Sequence, residues 1–354
     1  MLPYIIIFIL ILLSFLFVEK RTSKELRLLI SGIVFIFFTL FIGLRHNVGG
    51  DWGAYLMDFE AIPTRNFWND ILSSDTGYVV LEYISYYLGL GIYGVNTLCA
   101  IIFLSCFFYF IKTFKIKLPY ALLIAYPYLI MVVVNGYSRQ GVAVGLGMVF
   151  ISLLYKGKLF KSLIFLILAV SFHKSAIVLS ILYLSKLKIN IKSILFAIIL
   201  ITLIALFYFI FQEKIQWIYT QYTKQKYSAG ALIRIAINLV AGISLVVFSK
   251  QYKKLYDDYN IHFLIFIISV ISFLLAATSR NITTIVDRLI LYLYPFQIII
   301  FPRIFYIIYR MDKYLGYLYF IFLILLFSGV LFVWLFFAHH RKYWIPYDNL
   351  LFYL

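Results

Sequence analysis

The stretch "YLGYLYFIFLILLFSGVLFVWLFF", residues 314–337, contains no Asp, Glu, Lys or Arg and is long enough to cross a lipid bilayer. A transmembrane helix needs about 20 mostly apolar residues, because the hydrocarbon core is about 30 Å thick. Such runs recur along the 354-residue chain, of which 64% is hydrophobic and only 13% charged. Soluble globular proteins usually carry about 25% charged residues. The composition therefore predicts an all-α polytopic integral membrane protein.

Short clusters of Lys and Arg separate the apolar runs and predict the topology. The six clusters lie at residues 20–27, 112–117, 156–161, 186–192, 250–254 and 310–313. Because cytoplasmic loops carry an excess of Lys and Arg, we place all six in the cytoplasm. The net charge of +17 then follows from topology, and we expect no nucleic-acid partner.

An even number of crossings must separate any two cytoplasmic clusters, and this rule predicts about 12 membrane passages with both termini outside. They are expected near residues 3–18, 28–44, 94–111, 118–134, 140–155, 162–172, 174–184, 193–211, 231–248, 261–278, 288–308 and 314–337. The passages 162–172 and 174–184 are half the usual length, so we expect a short hairpin there. Its tip, residues 171–174, would need to be surrounded by protein or a water-filled cavity. We expect one transmembrane domain over residues 1–354.

Two outer-face loops interrupt this pattern. The loop 45–93 is predicted to carry an amphipathic helix near 78–90, because "YVVLEYISYYLGL" is too short to span and contains Glu82. On the outer surface such a helix would turn four side chains towards lipid, namely Val79, Val80, Tyr83 and Tyr87. The second outer loop, 212–230, mixes aromatic and amide side chains that suit either a carbohydrate or the membrane interface.

Arginines collect at the predicted outer ends of the spans. Arg45, Arg139, Arg280 and Arg288 each adjoin an apolar run. A planar guanidinium binds two phosphate oxygens at once, which lysine does not do. A single boundary arginine also snorkels to lipid headgroups, and that alternative stays open for each of them. Four together, each beside a Gly, Ser, Asn or Asp, predict a shared outward-facing site for an anionic group.

Ionisable side chains beside the apolar runs are the candidates for proton transfer and substrate contact. His173 lies at the hairpin tip, and a histidine with a pKa of about 6.5 can take a proton from a sugar hydroxyl; a hydrogen-bonded structural role is the alternative. Asp51 lies among flexible glycines and acts either as a base or as the partner of Arg45. We expect Tyr55 to contact substrate. Glu82 either contacts substrate or lies on the helix surface.

Five motifs, in this order, resemble those of the EpsG/Wzy-like polysaccharide polymerases. They are "GLRHNVGGDWGAY" (43–55), "DTGYVVLEY" (75–83), "SRQGVAVGL" (138–146), "SFHKSAIVL" (171–179) and "DRLILYLYPFQ" (287–297). The resemblance covers roughly residues 40–300. It implies functional roles for Arg45, Asp51, Arg139, His173 and Arg288. Trp52 departs from the family pattern, in which many relatives have Tyr after the Asp.

The resemblance implies a GT-C-like membrane glycosyltransferase of the bacterial cytoplasmic (inner) membrane, with its active site facing the periplasm or exterior. It would polymerise undecaprenyl-diphosphate-linked oligosaccharide units into an O-antigen, capsule or exopolysaccharide. Donor and acceptor are both carried on lipid, and a chain-length regulator is a further expected partner. No Asp-x-Asp pair occurs in the predicted outer loops, so we expect no metal and no cofactor. Arginines would instead stabilise the leaving diphosphate.

Three alternative functions stay open at this point. An O-antigen ligase-like transferase uses the same lipid-diphosphate chemistry but delivers the whole glycan to another acceptor. A flippase or exporter of lipid-linked sugars would need alternating access and usually has related halves, which the sequence does not display. A membrane acyltransferase would use the histidine but would give the arginines no role.

Overall fold

A computed structural model of the protein describes residues 1–17, 23–73, 75–186, 202, 209, 212, 230–278 and 283–353. Within these ranges all regular elements are helices, which confirms the all-α prediction. The described residues form two compact units, Met1–Ile177 with Gln297–Leu354, and Val178–Phe296. The sequence predicted one transmembrane domain, and each of the two units is described by itself below.

Fifteen α-helices are numbered here in chain order. They are α1 (Leu2–Ser14), α2 (Lys24–Gly43), α3 (Trp52–Glu60), α4 (Phe67–Ser73), α5 (Thr76–Tyr87), α6 (Gly91–Thr113), α7 (Leu118–Ala125), α8 (Ser138–Tyr155), α9 (Leu159–Phe172), α10 (Ala231–Val247), α11 (Ser249–Leu255), α12 (Tyr259–Thr278), α13 (Thr283–Ile290), α14 (Pro295–Met311) and α15 (Lys313–Phe337). A π-helix, Tyr126–Val134, continues α7, and a 3-10 helix, Lys174–Lys186, follows α9.

Several of these helices are able to span a membrane. Five are long and apolar enough, α2, α6, α8, α12 and α15, and the number rises to seven if each of two bent helix pairs is one span. The chain is therefore a multi-pass membrane protein. The count of 12 passages stays a prediction, and one of them, 193–211, falls almost wholly outside the described residues.

Helix α8 forms the centre of the first unit. It packs against α6 and α9, and 83% of its span lies buried inside the protein. Gly145 makes the contact with α6 possible, because an added Cβ there would lie 3.2 Å from the backbone Cα of Phe103. Small residues let membrane helices approach closely in this way. The packing on α6 and α9 positions the first turn of α8, which contains Arg139.

The face of α5 that was predicted to contact lipid is largely covered by protein. Val79 and Tyr83 are buried and form a cluster with Ile62, onto which side chains of α3 and α4 also pack. The prediction is therefore wrong for Val79 and Tyr83, whereas Tyr87 is exposed. Burial against protein and burial against lipid require the same apolar side chains, so the sequence pattern does not distinguish them.

A C-terminal segment, residues 338–353, packs across the turn that follows α2. Trp344 is completely buried and donates its Nε1–H to the carbonyl of Met131 at 3.1 Å. The backbone N–H of Gly49 donates to the carbonyl of Tyr343 at 2.7 Å, and that of His46 donates to Asp348 at 3.1 Å. These bonds join the C-terminal segment to the turn that leads into α3 and position that turn.

We expect Gly136→Ala to destabilise this packing. A Cβ at residue 136 would overlap the ring of Trp344, and overpacking a filled core typically costs about 1–3 kcal/mol. The thermal unfolding midpoint of the purified protein in lipid nanodiscs should therefore fall. Gly32→Ala is the control, since no atom lies within 4 Å of the added Cβ and alanine favours the helix. Equal midpoints for the two variants would contradict the Trp344 contact.

Candidate functional site

A polar pocket lies in the first unit where α3, α4, α5 and the first turn of α8 meet. Its cavity has a volume of about 10 Å³, room for about one water-sized group, and is lined by Asp58, Arg65, Asp70, Asp75, Tyr78, Val79, Glu82 and Arg139. We call these residues the acidic pocket, because four carboxyl groups face two guanidinium groups. Placing this many charged groups beside apolar helices costs free energy. Charged groups in such surroundings usually mark a functional site.

Arg139 lies at the centre of the acidic pocket. Its guanidinium carbon is 4.9 Å from the ring centroid of Tyr55 and 4.7 Å from that of Tyr78, so it makes cation–π contacts with both rings. Its Nη2 donates to the carboxylate of Asp58 at 2.9 Å, and Nη1 lies 3.8 Å from that of Asp75. Two carboxylates thus already balance its charge. The geometry favours a role for Arg139 in holding the pocket residues together over a role as a diphosphate ligand.

Tyr78 and Glu82 extend from one face of α5 into the same pocket. They are four residues apart and therefore neighbours on the helix surface. Glu82 is only 4% exposed and Tyr78 only 1%, and neither Glu82 Oε1 nor the Tyr78 hydroxyl has a hydrogen-bond partner among the described residues. The prediction that Glu82 could lie on the helix surface is therefore wrong. The helix turns this face towards α8, which the sequence period alone does not reveal.

Burial controls the protonation of these two groups. It raises the pKa of Glu82 to about 7, although the neighbouring Arg139 cation acts in the opposite direction. It also raises the pKa of Tyr78 well above its ordinary value. At neutral pH the pocket therefore contains a phenol that can donate a hydrogen bond and a carboxyl group that can give or take a proton.

Two pocket carboxylates, Asp58 and Asp70, were missed in the sequence. Asp58 bridges Arg65 at 3.1 Å and Arg139 at 2.9 Å, and Asp70 accepts the hydroxyl of Tyr83 at 3.0 Å. A signal for Asp58 was present, because it follows Asp51 and Tyr55 at the i, i+4, i+7 spacing of one helix face. Asp70 carried no comparable signal.

The structure places Arg45 in the protein core and not in the pocket. It is 1% exposed, and it donates to the carbonyls of Ile42 at 2.8 Å and Val48 at 3.2 Å. Its Nη2 donates to Asn96 Oδ1 at 2.8 Å and to Ser138 Oγ at 2.7 Å. These four bonds favour a structural role for Arg45, and its role as a diphosphate ligand stays a prediction. Arg45 instead ties the end of α2 to α6 and to the residue before Arg139.

Asp51 and Tyr55 lie at the start of α3, next to the pocket. The Tyr55 hydroxyl donates to the Asp51 carboxylate at 3.4 Å, and Tyr55 itself is buried under the Arg139 guanidinium. Tyr55 therefore contacts Arg139 directly, and its expected contact with substrate stays a prediction. Asp51 is half-buried and remains a candidate for hydroxyl binding.

His173 lies directly after the end of α9. Its backbone is extended, with φ −158° and ψ 117°, and its Nδ1 lies 2.6 Å from Ser175 Oγ. The preceding residue, Phe172, packs on the first turn of α5, where a Cβ added at Gly77 would lie 2.7 Å from its ring. The structure thus brings the His173 end of α9 to the same helix that carries Tyr78 and Glu82.

Two further arginines, Arg288 and Arg280, were predicted to belong to the site. Arg288 is half-buried on α13 of the second unit. Its neighbour Asp287 pairs with Arg234, whose Nε lies 2.6 Å from Asp287 Oδ1 and whose Nη2 also contacts the carboxylate. Arg280, like most of the loop 212–230, lies outside the described residues. The shared four-arginine site stays a prediction, and within the first unit Arg45 and Arg139 have different hydrogen-bond partners.

Among the residues that the structure describes, no group of three or more His, Cys, Asp or Glu side chains is arranged to hold a metal ion. In the acidic pocket, Asp58 and Asp75 face Arg139, and Asp70 faces Tyr83.

Comparison with known proteins identifies the family. The family model described as the EpsG family matches residues 28–349, a range that contains the acidic pocket, Arg45, His173 and Arg288. No curated protein and no solved structure matches the chain. Because the match extends over nearly the whole sequence, the resemblance found in the five motifs is confirmed, and the chain belongs to the EpsG family.

Proposed function

We propose that this EpsG-family protein is a membrane glycosyltransferase that joins lipid-diphosphate-linked oligosaccharide units into a surface polysaccharide. Family membership and the apolar spanning helices support a polysaccharide polymerase-like membrane protein. The finer parts of the proposal are an undecaprenyl carrier, an outer-face site in the cytoplasmic membrane, and a GT-C-like arrangement of about 12 passages.

The acidic pocket is the observation that carries this proposal, and we assign it to the acceptor sugar. A sugar presents many hydroxyl groups, each of which is both a donor and an acceptor. The pocket offers carboxylates, tyrosine rings and an unpartnered donor and acceptor in Tyr78 and Glu82. With four carboxyl groups against two arginines, the same pocket would repel a diphosphate. The assignment of the donor's diphosphate to Arg288 and Arg280 stays as the sequence predicted it.

The proposed reaction transfers the growing glycan from its carrier to one repeat unit. A hydroxyl of the acceptor sugar attacks the anomeric carbon of the donor, and the bond from that carbon to the lipid diphosphate breaks. Negative charge grows on the leaving diphosphate in the transition state, where fixed cations stabilise it most. We keep His173 and Asp51 as groups that orient the acceptor, because both lie beside elements that build the pocket.

We expect cells that lack this gene to carry single repeat units where the parent carries long chains. The length of lipid-linked and surface glycan is resolved on a gel, before and after complementation. Wild-type protein and Arg27→Ala, an exposed arginine in the predicted cytoplasmic cluster, should restore the ladder, whereas Arg288→Ala should not. Membrane levels of each variant are measured in parallel.

Other outcomes of the same experiment would contradict the proposal. Long chains that persist on the lipid carrier but never reach their final acceptor would establish a ligase-like transferase. Unpolymerised units that accumulate on the cytoplasmic side would establish a transporter. A ladder that Arg288→Ala restores in full would remove Arg288 from the diphosphate site.

A further inference from the structure

We propose that Glu82 is the general base that removes the proton from the attacking hydroxyl of the acceptor sugar, and that Tyr78 orients this hydroxyl. The inference rests on the proposed polymerase function and assigns the base within the same pocket. The sequence pointed to His173 and Asp51 for this role, and the structure points to a different side chain.

The two unpartnered atoms of the pocket match one hydroxyl group. The Tyr78 hydroxyl needs an acceptor and Glu82 Oε1 needs a donor, and neither has one among the described residues. A sugar hydroxyl accepts one hydrogen bond and donates another. Because Tyr78 and Glu82 are four residues apart on α5, their side chains lie next to each other on one helix face. A single hydroxyl placed between them would satisfy both buried groups.

Glu82 differs from the other carboxyl groups of the pocket because its Oε1 has no hydrogen-bond partner among the described residues. Asp58 holds both Arg65 and Arg139, Asp75 faces Arg139 at 3.8 Å, and Asp70 accepts the hydroxyl of Tyr83. A carboxylate that already accepts from a cation or a phenol is a weaker base, because the charged form is stabilised. Glu82 is also the most deeply buried of the four, at 4% exposure, so it is the best suited to take a proton.

The groups that face Glu82 come from every element packed against α5. Arg139 on α8 and Arg65 after α3 favour the ionised form, whereas Asp58 on α3 and Asp70 on α4 oppose it. Asp75 and Tyr78 line the same pocket, Cys99 faces Glu82 from α6, and α9 ends beside α5 at His173. Two cations thus act against two carboxylates, and burial is the largest cause of the raised pKa of Glu82. The carboxyl group therefore exchanges its proton near neutral pH, as a base for an alcohol requires.

In the proposed step the hydroxyl proton of the acceptor passes to Glu82. The hydroxyl oxygen forms the new bond to the anomeric carbon of the donor, and the bond from that carbon to the diphosphate oxygen breaks. The electron pair of that bond leaves with the lipid diphosphate. Glu82 afterwards releases its proton to water, which restores the carboxylate for the next unit.

The rate should therefore depend on pH in a definite direction. A base acts when it is ionised, so the rate should rise with pH and level off above about 7. The assay uses purified protein in nanodiscs and the lipid-linked oligosaccharide extracted from the deletion strain. We expect Glu82→Gln to lower the rate by about 10²–10⁴, the usual contribution of a general base, and to remove this rise.

Three further variants make the test specific. Glu82→Asp keeps a base on a shorter side chain and should retain a measurable rate that still rises with pH. Tyr78→Phe keeps the ring under Arg139 but removes the hydroxyl, and should cost about tenfold, as expected for one lost hydrogen bond. Glu60→Gln is the control, because it makes the same chemical change on the exposed end of α3 and should behave as wild type.

The inference fails if Glu82→Gln, folded as judged by its thermal unfolding, keeps the wild-type rate and pH dependence. It also fails if His173→Ala alone removes the rise with pH, since histidine is then the base. If Glu82→Gln does not fold, full activity in both Glu82→Asp and Tyr78→Phe would overturn it. A failure of the proposed function is separate and appears earlier, because the wild-type protein would then not elongate the extracted oligosaccharide at all.

Discussion

Arg139→Ala is expected to lower the rate of polymerisation by about 5- to 500-fold at pH 7 and to move the rise of activity to higher pH. Arg139 is the cation that most favours the ionised form of Glu82. An opposite charge at such a site lowers a carboxyl pKa by about 1–3 units, so its removal raises the pKa of Glu82 by a similar amount. At pH 7 the ionised fraction of Glu82 then falls about 5- to 500-fold. Loss of the cation between the rings of Tyr55 and Tyr78 would add a loss of positioning.

The measurement is the rate of elongation between pH 6 and pH 9 for wild type, Arg139→Ala and Arg139→Lys. Lysine keeps the charge but not the planar fork that reaches two carboxylates and stacks on two rings. We therefore expect Arg139→Lys to keep the wild-type pH dependence more closely, at a reduced rate. If Arg139 acted instead as a diphosphate ligand, Arg139→Ala would lower the rate equally at every pH. An unchanged midpoint would therefore contradict its role in holding the pocket residues together.

Arg45→Ala is expected to lower the yield of folded protein severely. The change would remove the Arg45 donor from the carbonyls of Ile42 and Val48 in a fully buried site. It would also leave Asn96 Oδ1 with only the hydroxyl of Ser138 as its donor. Each unsatisfied buried polar group costs about 1–3 kcal/mol. Several such losses approach the net stability of a typical domain, which is only about 5–15 kcal/mol.

The yield of monodisperse protein and its thermal unfolding midpoint report this effect. Arg65→Ala is the matched control for stability, because its pair with Asp58 lies at the surface, with both side chains 37% exposed. Exposed ion pairs contribute about 0–1 kcal/mol, so this variant should keep its midpoint. A well-folded Arg45→Ala protein with normal stability and no activity would restore Arg45 to the substrate site.

Much of the candidate site could be predicted from the sequence, because its residues lie in short, unusual motifs. The loop that follows α2 and the "DTGYVVLEY" stretch contribute Tyr55, Asp75, Tyr78 and Glu82 to one region. Arg139 was singled out as an arginine at the start of an apolar helix, and the structure places it at the centre of this region. The sequence pattern could not assign a separate role to each of these residues. The role of each residue depends on whether its side chain already has a hydrogen-bond or ion-pair partner.

The sequence by itself determined the class of protein, the position of the long apolar helices in the described ranges and the family. These properties depend on local composition and on spacing along the chain. Only the tertiary structure decided that Arg45 is enclosed, that Val79 and Tyr83 face protein, and that Glu82 is buried with no hydrogen-bond partner for its Oε1 in the described part of the chain. The physical reason is that hydropathy measures withdrawal from water, which is the same in lipid and in protein. Whether a polar group is buried depends instead on partners that are distant in the sequence. Arg45 is an example, since its acceptors Asn96 and Ser138 lie 51 and 93 residues away.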